Sequence, residues 1–168
     1  MKCGLLVEMG WIMPRTRSKF GVDITAKGKA DRTCNDYITG KPIVFDSKLE
    51  KKFYEEVVIP GLEDGTIAKA ELQKKYNLQP SFKHEGKTIR AIDYVSDFTL
   101  TYSDGSILVI DIKGRATADA KIKKKMMHYV HPELKFVWLA HTVATGWIDY
   151  DELQKFRRER KKAKKENV

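Results

Sequence analysis

Cysteine is scarce in this sequence, which contains Cys3 and Cys34 and no Cys-x-x-Cys pair among its 168 residues. Two cysteines this far apart supply neither a disulfide framework nor a zinc-finger signature. The histidines offer no alternative, because His128 and His131 are the one closely spaced pair and no cysteine lies near them. We therefore expect no zinc site, and the lack of disulfides favours a cytoplasmic protein.

Long apolar runs are also missing. No segment reaches the roughly 20 apolar residues that span a bilayer, which excludes a membrane-spanning protein. The N-terminal stretch MKCGLLVEMGWIM is interrupted by Glu8 and is not followed by a small-residue cleavage pattern, so we do not expect a signal peptide. The basic segment that starts at Pro14 favours a translation start at Met13.

Acidic residues are in the minority, with 23 Asp and Glu against 32 Lys and Arg, for a net charge of +9 at pH 7. This excess favours a polyanionic partner, with nucleic acid first and an anionic membrane surface second. Hydrophobic residues make up 42% and charged residues 33%, which is typical of a globular chain. A chain of this length is expected to form one domain with a single core.

The apolar patterns and turn signals predict an α/β protein. A helix should begin at Ser47, where Ser47-Lys48-Leu49-Glu50 fits a capping box, and should end at Pro60-Gly61. The later elements are expected at 67–72 (strand), 90–102 (strand), 106–113 (strand), 118–130 (helix) and 134–140 (strand). The final strand–helix–strand order implies a parallel pair. The order α-β-β-β-α-β predicts a single domain with a mixed central sheet flanked by helices.

The chain divides by composition into three regions. Residues 1–44 are expected to form a basic, partly irregular arm, and residues 45–145 contain the core. Residues 146–168 are expected to form a basic C-terminal helix, since eight of residues 151–165 are Lys or Arg. A polar stretch follows residue 72 and is broken at Gln79-Pro80.

The turn between the second and third predicted strands decides which side chains face each other. A three-residue loop, Ser103-Asp104-Gly105, would be a type I turn closed by a left-handed glycine, and it would pair residue 102 with residue 106. Asp97 would then lie directly opposite Asp111, with Cβ atoms about 5 Å apart. A two-residue loop would instead turn Asp97 to the other face of the sheet.

Charged residues at the end of a buried strand need a partner or a function. Asp111 and Lys113 are two residues apart, so their side chains project from the same face. Burial of either charge alone is costly, which leaves a mutual ion pair, a surface patch on an edge strand, or a functional site. If Asp97 joins them, two carboxylates about 5 Å apart repel each other unless a cation lies between them. A hard divalent ion with oxygen ligands is the obvious candidate.

Three segments resemble a known nuclease family. An Asp on one strand, followed by Asp-x-Lys on its neighbour and preceded by a helix with a Glu, is similar to the PD-(D/E)XK core. More narrowly, the resemblance is to a phage and prophage endonuclease family related to phage endonuclease I and other Holliday-junction resolvases. It rests on Phe45-Asp46-Ser47-Lys48-Leu49-Glu50, Tyr94-Val95-Ser96-Asp97-Phe98 and Asp111-Ile112-Lys113-Gly114, and covers about residues 18–140. The sequence departs from the superfamily's name at Ser96, where proline would precede Asp97.

This resemblance implies a restriction-endonuclease-like fold and a metal-dependent hydrolase. Asp97 and Asp111 would hold Mg²⁺ or Mn²⁺, with the backbone carbonyl of Ile112 as a further ligand. Lys113 would orient or deprotonate the attacking water, or stabilise the charge on the phosphate. Glu50 would complete the catalytic set, through a second metal or a metal-bound water; its alternative role is in the capping box at the start of its own helix.

The resemblance also implies a DNA substrate, with branched or Holliday-junction DNA in phage recombination or replication as the first candidate. A homodimer is expected, because cutting two strands needs two active sites, and a phage or prophage origin would place the protein in a bacterial cytoplasm. The residues expected to contact DNA are Lys123, Lys121, Gln73, Arg15 and Arg17, although a lysine-rich helix face is often simply solvated. Two other functions stay open: a non-catalytic DNA-binding protein on the same fold, and a restriction-type or RNA-cleaving nuclease.

Overall fold

The structure is a computed structural model that describes residues 22–166. The predictions for Met13, Arg15 and Arg17 lie outside the described residues. The chain divides into two compact units, Met1–Lys51 and Lys52–Val168, and each is described by itself.

The first unit contains a short helix and a two-stranded hairpin. The helix α1 spans Ala26–Ala30, and the strands β1 (Thr33–Asn35) and β2 (Pro42–Val44) pair antiparallel. The hydroxyl of Thr25 caps α1 by accepting the N–H of Gly28 at 3.2 Å. The guanidinium of Arg32 donates to three carbonyl oxygens, those of Asp23, Gly28 and Phe45, and so ties the segments of this unit together.

A longer helical segment follows, and it does not end where the sequence predicts. The helix α2 (Lys48–Phe53) continues through a π-helical turn (Tyr54–Val58) into α3 (Ile59–Glu63). The prediction that the helix stops at Pro60-Gly61 is therefore wrong. Pro60 has no N–H to donate, and the preceding turn widens so that the N–H of Ile59 bonds to the carbonyl of Tyr54, five residues back.

The second unit is built on a five-stranded mixed sheet. The strands of this unit, in chain order, are β3 (Ile67–Leu72), β4 (Lys75–Gln79), β5 (Phe82–His84), β6 (Lys87–Ile89), β7 (Ile92–Val95), β8 (Phe98–Tyr102), β9 (Ile107–Ile112), β10 (Lys135–Thr142) and β11 (Gly146–Asp149). The central sheet has the order β11-β10-β9-β8-β3. Only the β9–β10 pair is parallel among these neighbours, as the strand–helix–strand order predicts. The predicted α/β class, with a mixed central sheet flanked by helices, is confirmed.

The β8–β9 turn has the three-residue geometry. Gly105 has a φ of +83°, and its N–H donates to the carbonyl of Tyr102 at 3.0 Å. The strands pair Phe98 with Ile110 and Thr101 with Ile107, which is the register that the three-residue loop predicts. Gly105 is needed here because residues with a side chain are strained at this positive φ.

The predicted long strand at 90–102 is interrupted. It divides into β7, which pairs with β4, and β8, which pairs with β3 in the central sheet. At the break the N–H of Ser96 donates to the carbonyl of Lys74 at 3.0 Å, and the N–H of Gln73 donates to the carbonyl of Asp97 at 3.2 Å. These two hydrogen bonds join the β3–β4 connection to the β7–β8 connection at a bend where both segments leave the central sheet. The polar stretch after Leu72 also forms β4, β5 and β6, which the sequence patterns do not predict.

Two further helices complete the second unit. The helix α4 spans Ala118–Val130, and the hydroxyl of Thr117 caps it by accepting the N–H of Ala120 at 3.2 Å. The helix α5 spans Tyr150–Glu166. The prediction of a helix throughout residues 146–168 is wrong at its start, because Gly146–Asp149 pair with β10 as an edge strand. Among the residues that the structure describes, no helix combines the length and apolar character needed to cross a bilayer.

The two faces of the sheet are covered by different helices. Neighbouring residues on a strand point to opposite faces. Val109 lies in a buried cluster with Met127 of α4, whereas the cross-strand partner of Ile110, Phe98, packs its ring 5.0 Å from that of Phe53 in α2. Residue 111 therefore faces the same side as Val109, towards α4.

Candidate active site

Two carboxylates lie at the same end of the β8–β9 pair. Asp111 is the fifth residue of β9, and Asp97 immediately precedes β8 at the bend. One step of the ladder beyond the Phe98–Ile110 pair brings Asp97 opposite Asp111 on the α4 side of the sheet. The alternative from sequence, in which Asp97 faces the other way, does not hold.

Asp97 closes the end of this ladder with its side chain. Its Oδ2 accepts the backbone N–H of Ile112 at 2.6 Å, in the position where a strand carbonyl would otherwise continue the pairing. The backbone carbonyl of the same residue accepts the N–H of Gln73. The carboxylate of Asp97 is thus held next to the residue that follows Asp111 in the chain.

Asp111 is almost completely enclosed, with 2% of its surface exposed. Its Oδ2 forms an ion pair with the Nζ of Lys113 but accepts no hydrogen bond of ordinary geometry among the described residues. Burial raises the pKa of Asp111 above its usual range, and the charge of Lys113 opposes this shift. A buried carboxylate oxygen held by a single ammonium is a group that a hard cation would bind in place of that ammonium.

A chain of hydrogen bonds links Trp138 through Tyr94 to Asp111. The indole Nε1 of Trp138 donates to the hydroxyl of Tyr94 at 2.9 Å, and that hydroxyl is hydrogen-bonded to Asp111. Burial, followed by the negative charge of Asp111, raises the pKa of Tyr94, with a smaller contribution from Asp97. The hydroxyl therefore stays protonated and can donate.

Lys124 is a second cation at this site, and the sequence analysis does not identify it. Its Nζ lies 4.6 Å from the ring centroid of Trp138 and forms an ion pair with Asp151 of α5 at 2.6 Å. The positive charge of Lys124 also lowers the pKa of Asp111, although less than Lys113 does. Only the parallel register, which sets Trp138 beside Asp111, reveals this grouping.

The described residues that were predicted to contact DNA differ in their surroundings. Lys123 donates its Nζ to the backbone carbonyl of Asp93 at 2.8 Å and so ties α4 to β7. Lys121 is exposed on α4. Gln73 is exposed beside the bend, and its backbone reaches Asp97.

Glu50 belongs to the first unit and has a capping role there. Its N–H donates to the hydroxyl of Ser47 at 3.1 Å, and its Oε2 accepts the N–H of Asp46 at 3.1 Å. The side chain is buried. These bonds are those of a capping box shifted by one residue, because the acidic side chain reaches Asp46 rather than Ser47. A catalytic role for Glu50 stays a prediction from the sequence.

The donors at this place suit a small hard cation. No group of three or more His, Cys, Asp or Glu side chains able to hold a metal occurs in the described part of the chain. Mg²⁺, however, is commonly held by one or two carboxylates and completes its shell with water and substrate phosphate. Asp97 and Asp111, with the adjacent backbone of Ile112, fit that pattern.

One comparison with known proteins identifies a family. A family model described as "Protein of unknown function (DUF1064)" matches residues 32–145. This range covers more than half of the 168 residues, so the chain belongs to that family, and the range includes Asp97, Asp111 and Lys113. No curated protein matches the chain.

Proposed function

We propose that this member of the DUF1064 family is a divalent-metal-dependent DNA endonuclease that hydrolyses phosphodiester bonds. The observation that supports the proposal most strongly is the convergence of Asp97 and Asp111 from adjacent strands, with Lys113 beside them. One of these acids is buried, and the ammonium of Lys113 is the one partner of its Oδ2 among the described residues. The resemblance of these segments to the PD-(D/E)XK core points to the same chemistry.

In the proposed mechanism, Asp97, Asp111 and the carbonyl of Ile112 hold Mg²⁺ or Mn²⁺. When bound, such an ion makes a water more acidic and neutralises charge on the phosphate. Asp97 keeps its orientation through the N–H of Ile112, and Asp111 keeps its orientation through the hydroxyl of Tyr94. Both carboxylates are therefore fixed before the substrate arrives, which lowers the cost of assembling the site.

Lys113 is the group closest to the acids that can touch the substrate. Its side chain is 23% exposed, so its ammonium can leave Asp111 and reach solvent or a bound phosphate. As an ion-paired ammonium it donates hydrogen bonds, which suits stabilising the phosphate charge or orienting the water. Removal of a proton from the water would first require Lys113 to lose its own proton.

DNA is proposed as the substrate on grounds of charge. The net charge is +9 at pH 7, and the exposed part of α5 contains Lys155, Arg157, Arg158, Arg160, Lys161, Lys162, Lys164 and Lys165. Cations on a surface of this kind release counterions from a nucleic-acid backbone, so binding should weaken steeply with salt. Branched or junction DNA in a phage or prophage setting, in a bacterial cytoplasm, and a dimeric enzyme are the further parts of the proposal.

A substrate survey tests the proposal. The protein is incubated with four-way junction, flap, linear duplex and single-stranded DNA, and with RNA, in the presence of Mg²⁺, Mn²⁺ or EDTA. We expect cleavage with either metal, none in EDTA, and the fastest cleavage on the junction. If the protein cleaves RNA and none of the DNA molecules, the substrate is RNA. If it binds DNA but cleaves nothing with either metal, the non-catalytic role is favoured.

Matched variants make the survey specific to the site. Asp111→Ala and Lys113→Ala should abolish cleavage and leave DNA binding in place. Asp104→Asn and Lys135→Ala serve as controls, because Asp104 is exposed in the turn at the far end of the same hairpin and Lys135 is exposed at the start of β10. Equal losses of cleavage in the controls would contradict the assignment.

A further inference from the structure

The hairpin formed by β5 and β6 stands out because every one of its six strand residues is exposed. Phe82 pairs with Ile89 across the ribbon, and their exposures are 46% and 39%. Directly opposed residues lie on the same side of a two-stranded ribbon, so the two apolar side chains form a small exposed pair. An isolated ribbon with no covered face gains little stability from its own packing.

The cations of this hairpin are unpaired. Lys83, Lys87 and Arg90 are exposed, and none has an ion-pair partner among residues 22–166. The acid in this stretch is Glu85, at the turn, where it lies 3.9 Å from His84. Several other lysines of the second unit, such as Lys69 and Lys74, are paired with carboxylates instead. The hairpin therefore presents free positive charge around an apolar pair.

The position of the hairpin connects it to the candidate active site. β7 begins three residues after β6 and leads directly to the bend that carries Asp97. The eight residue-to-residue steps from Ile89 to Asp97 span at most about 29 Å when the chain is extended. At about 3.4 Å per base pair, that distance corresponds to about eight base pairs of duplex.

We propose that the β5–β6 hairpin enters a groove of duplex DNA beside the bond that is cleaved. A two-stranded ribbon fits the major groove, which is about 12 Å wide. Lys83, Lys87 and Arg90 contact phosphates at the groove edges, and Phe82 with Ile89 contacts the bases. This inference rests on the proposed function for its substrate, and it adds that the enzyme requires duplex next to its cleavage point.

Binding measured in EDTA tests the hairpin independently of cleavage. The full-length protein is titrated with a labelled duplex at several salt concentrations, and with one of its single strands. For Lys83→Gln/Lys87→Gln we expect weaker binding to the duplex and a log–log salt slope lower by about 2, since each lost phosphate contact removes about 0.9. Phe82→Ala should weaken duplex binding without changing that slope. Neither variant should change the binding of the single strand.

Lys41→Gln/Lys135→Gln is the charge-matched control, because both lysines are exposed and neither belongs to the hairpin. An equal loss in this control, or an equal loss on single-stranded DNA, would overturn the proposal in favour of general attraction between charges. A change in sedimentation caused by Phe82→Ala would also overturn it, because the hairpin would then join two copies of the chain. Hairpin-dependent duplex binding without any cleavage would keep this inference and reject the endonuclease.

Discussion

At the scale of single residues, Asp111 combines burial with an oxygen whose one partner among the described residues is the ammonium of Lys113. A carboxylate whose pKa is raised by burial weakens the fold when it is ionised, since its charged form is less favourable in the folded state. Lys113 and Tyr94 partly offset this destabilisation, because both favour the ionised form of Asp111. Such placement of an unfavourable charge is common at functional sites.

Asp111→Asn should therefore stabilise the metal-free protein. Because the folded pKa lies above the unfolded one, wild-type stability falls as the pH rises from the unfolded pKa through the folded pKa, and the asparagine variant lacks this fall. The gain should be absent in strong acid and present at neutral pH. Thermal unfolding in EDTA measures it, at about 2–4 °C per kcal/mol for a chain of this size. A lower unfolding temperature for the variant at neutral pH would contradict the argument.

Lys113 occupies the oxygen of Asp111 that a divalent ion would bind. We expect Lys113→Met to bind Mn²⁺ about tenfold more tightly than the wild type in the absence of DNA, because a competing positive charge has been removed. Titration calorimetry at mildly alkaline pH measures this affinity, and Lys121→Met is the control. An unchanged or weaker affinity would show that Lys113 does not compete with the metal.

Glu50 is the residue for which the capping role and the catalytic role can be separated by substitution. Glu50→Gln keeps an oxygen that can accept the N–H of Asp46, whereas Glu50→Ala loses it. We expect the glutamine variant to retain stability and lose cleavage, and the alanine variant to lose about 1 kcal/mol of stability as well. Full cleavage by Glu50→Gln, measured beside its unfolding curve, would assign Glu50 to the cap alone.

At the scale of elements, one turn determines whether the two acids meet. Gly105 occupies a positive φ in the β8–β9 loop, and that loop length sets the pairing that brings Asp97 opposite Asp111. This step could be predicted from the sequence, because an Asp-Gly turn between two apolar strands has few geometries. The helix and strand positions around it could also be predicted, since their apolar patterns are strong.

Other elements depend on contacts that no local pattern records. The helix continues past Pro60, which has no N–H to donate, because the π-helical turn before it bonds the N–H of Ile59 to the carbonyl of Tyr54. The bend at Ser96 forms because its N–H has a partner in Lys74. Lys124 and Trp138 join the site only through the packing of α4 and β10 on β9. The bend and the Lys124–Trp138 grouping involve residues far apart in the sequence, which periodicity cannot show. The helix end depends instead on a local hydrogen bond from Ile59 to Tyr54 that the Pro-Gly pattern does not predict.

Gly105→Ala tests the turn itself. A side chain at this positive φ should cost about 1–2 kcal/mol of stability, because L-residues are strained in the left-handed region. The position lies at the opposite end of the β8–β9 pair from the acids, and a Cβ built there meets no atom within 4 Å. Denaturant unfolding should show the loss, with cleavage per folded molecule unchanged. A stability equal to the wild type would contradict the assigned turn geometry.

At the scale of the whole molecule, charge and fold serve different parts of the proposed function. The sheet brings two acids and a lysine to one end of a strand pair, and the surplus of 32 basic over 23 acidic residues provides attraction to a nucleic acid. The net charge could be counted from the sequence, but its distribution could not. The structure places exposed cations on the β5–β6 hairpin and along α5.

The most direct measurement is single-turnover cleavage of a labelled four-way junction at saturating Mg²⁺, compared for the wild type, Asp97→Asn and Asp111→Asn at equal DNA occupancy. The account predicts that either substitution slows cleavage about a hundredfold or more, because the lost contact stabilises the reacting phosphate by several kcal/mol. Wild-type rates in either variant would contradict it, as would a wild-type protein that binds the junction and leaves it uncut.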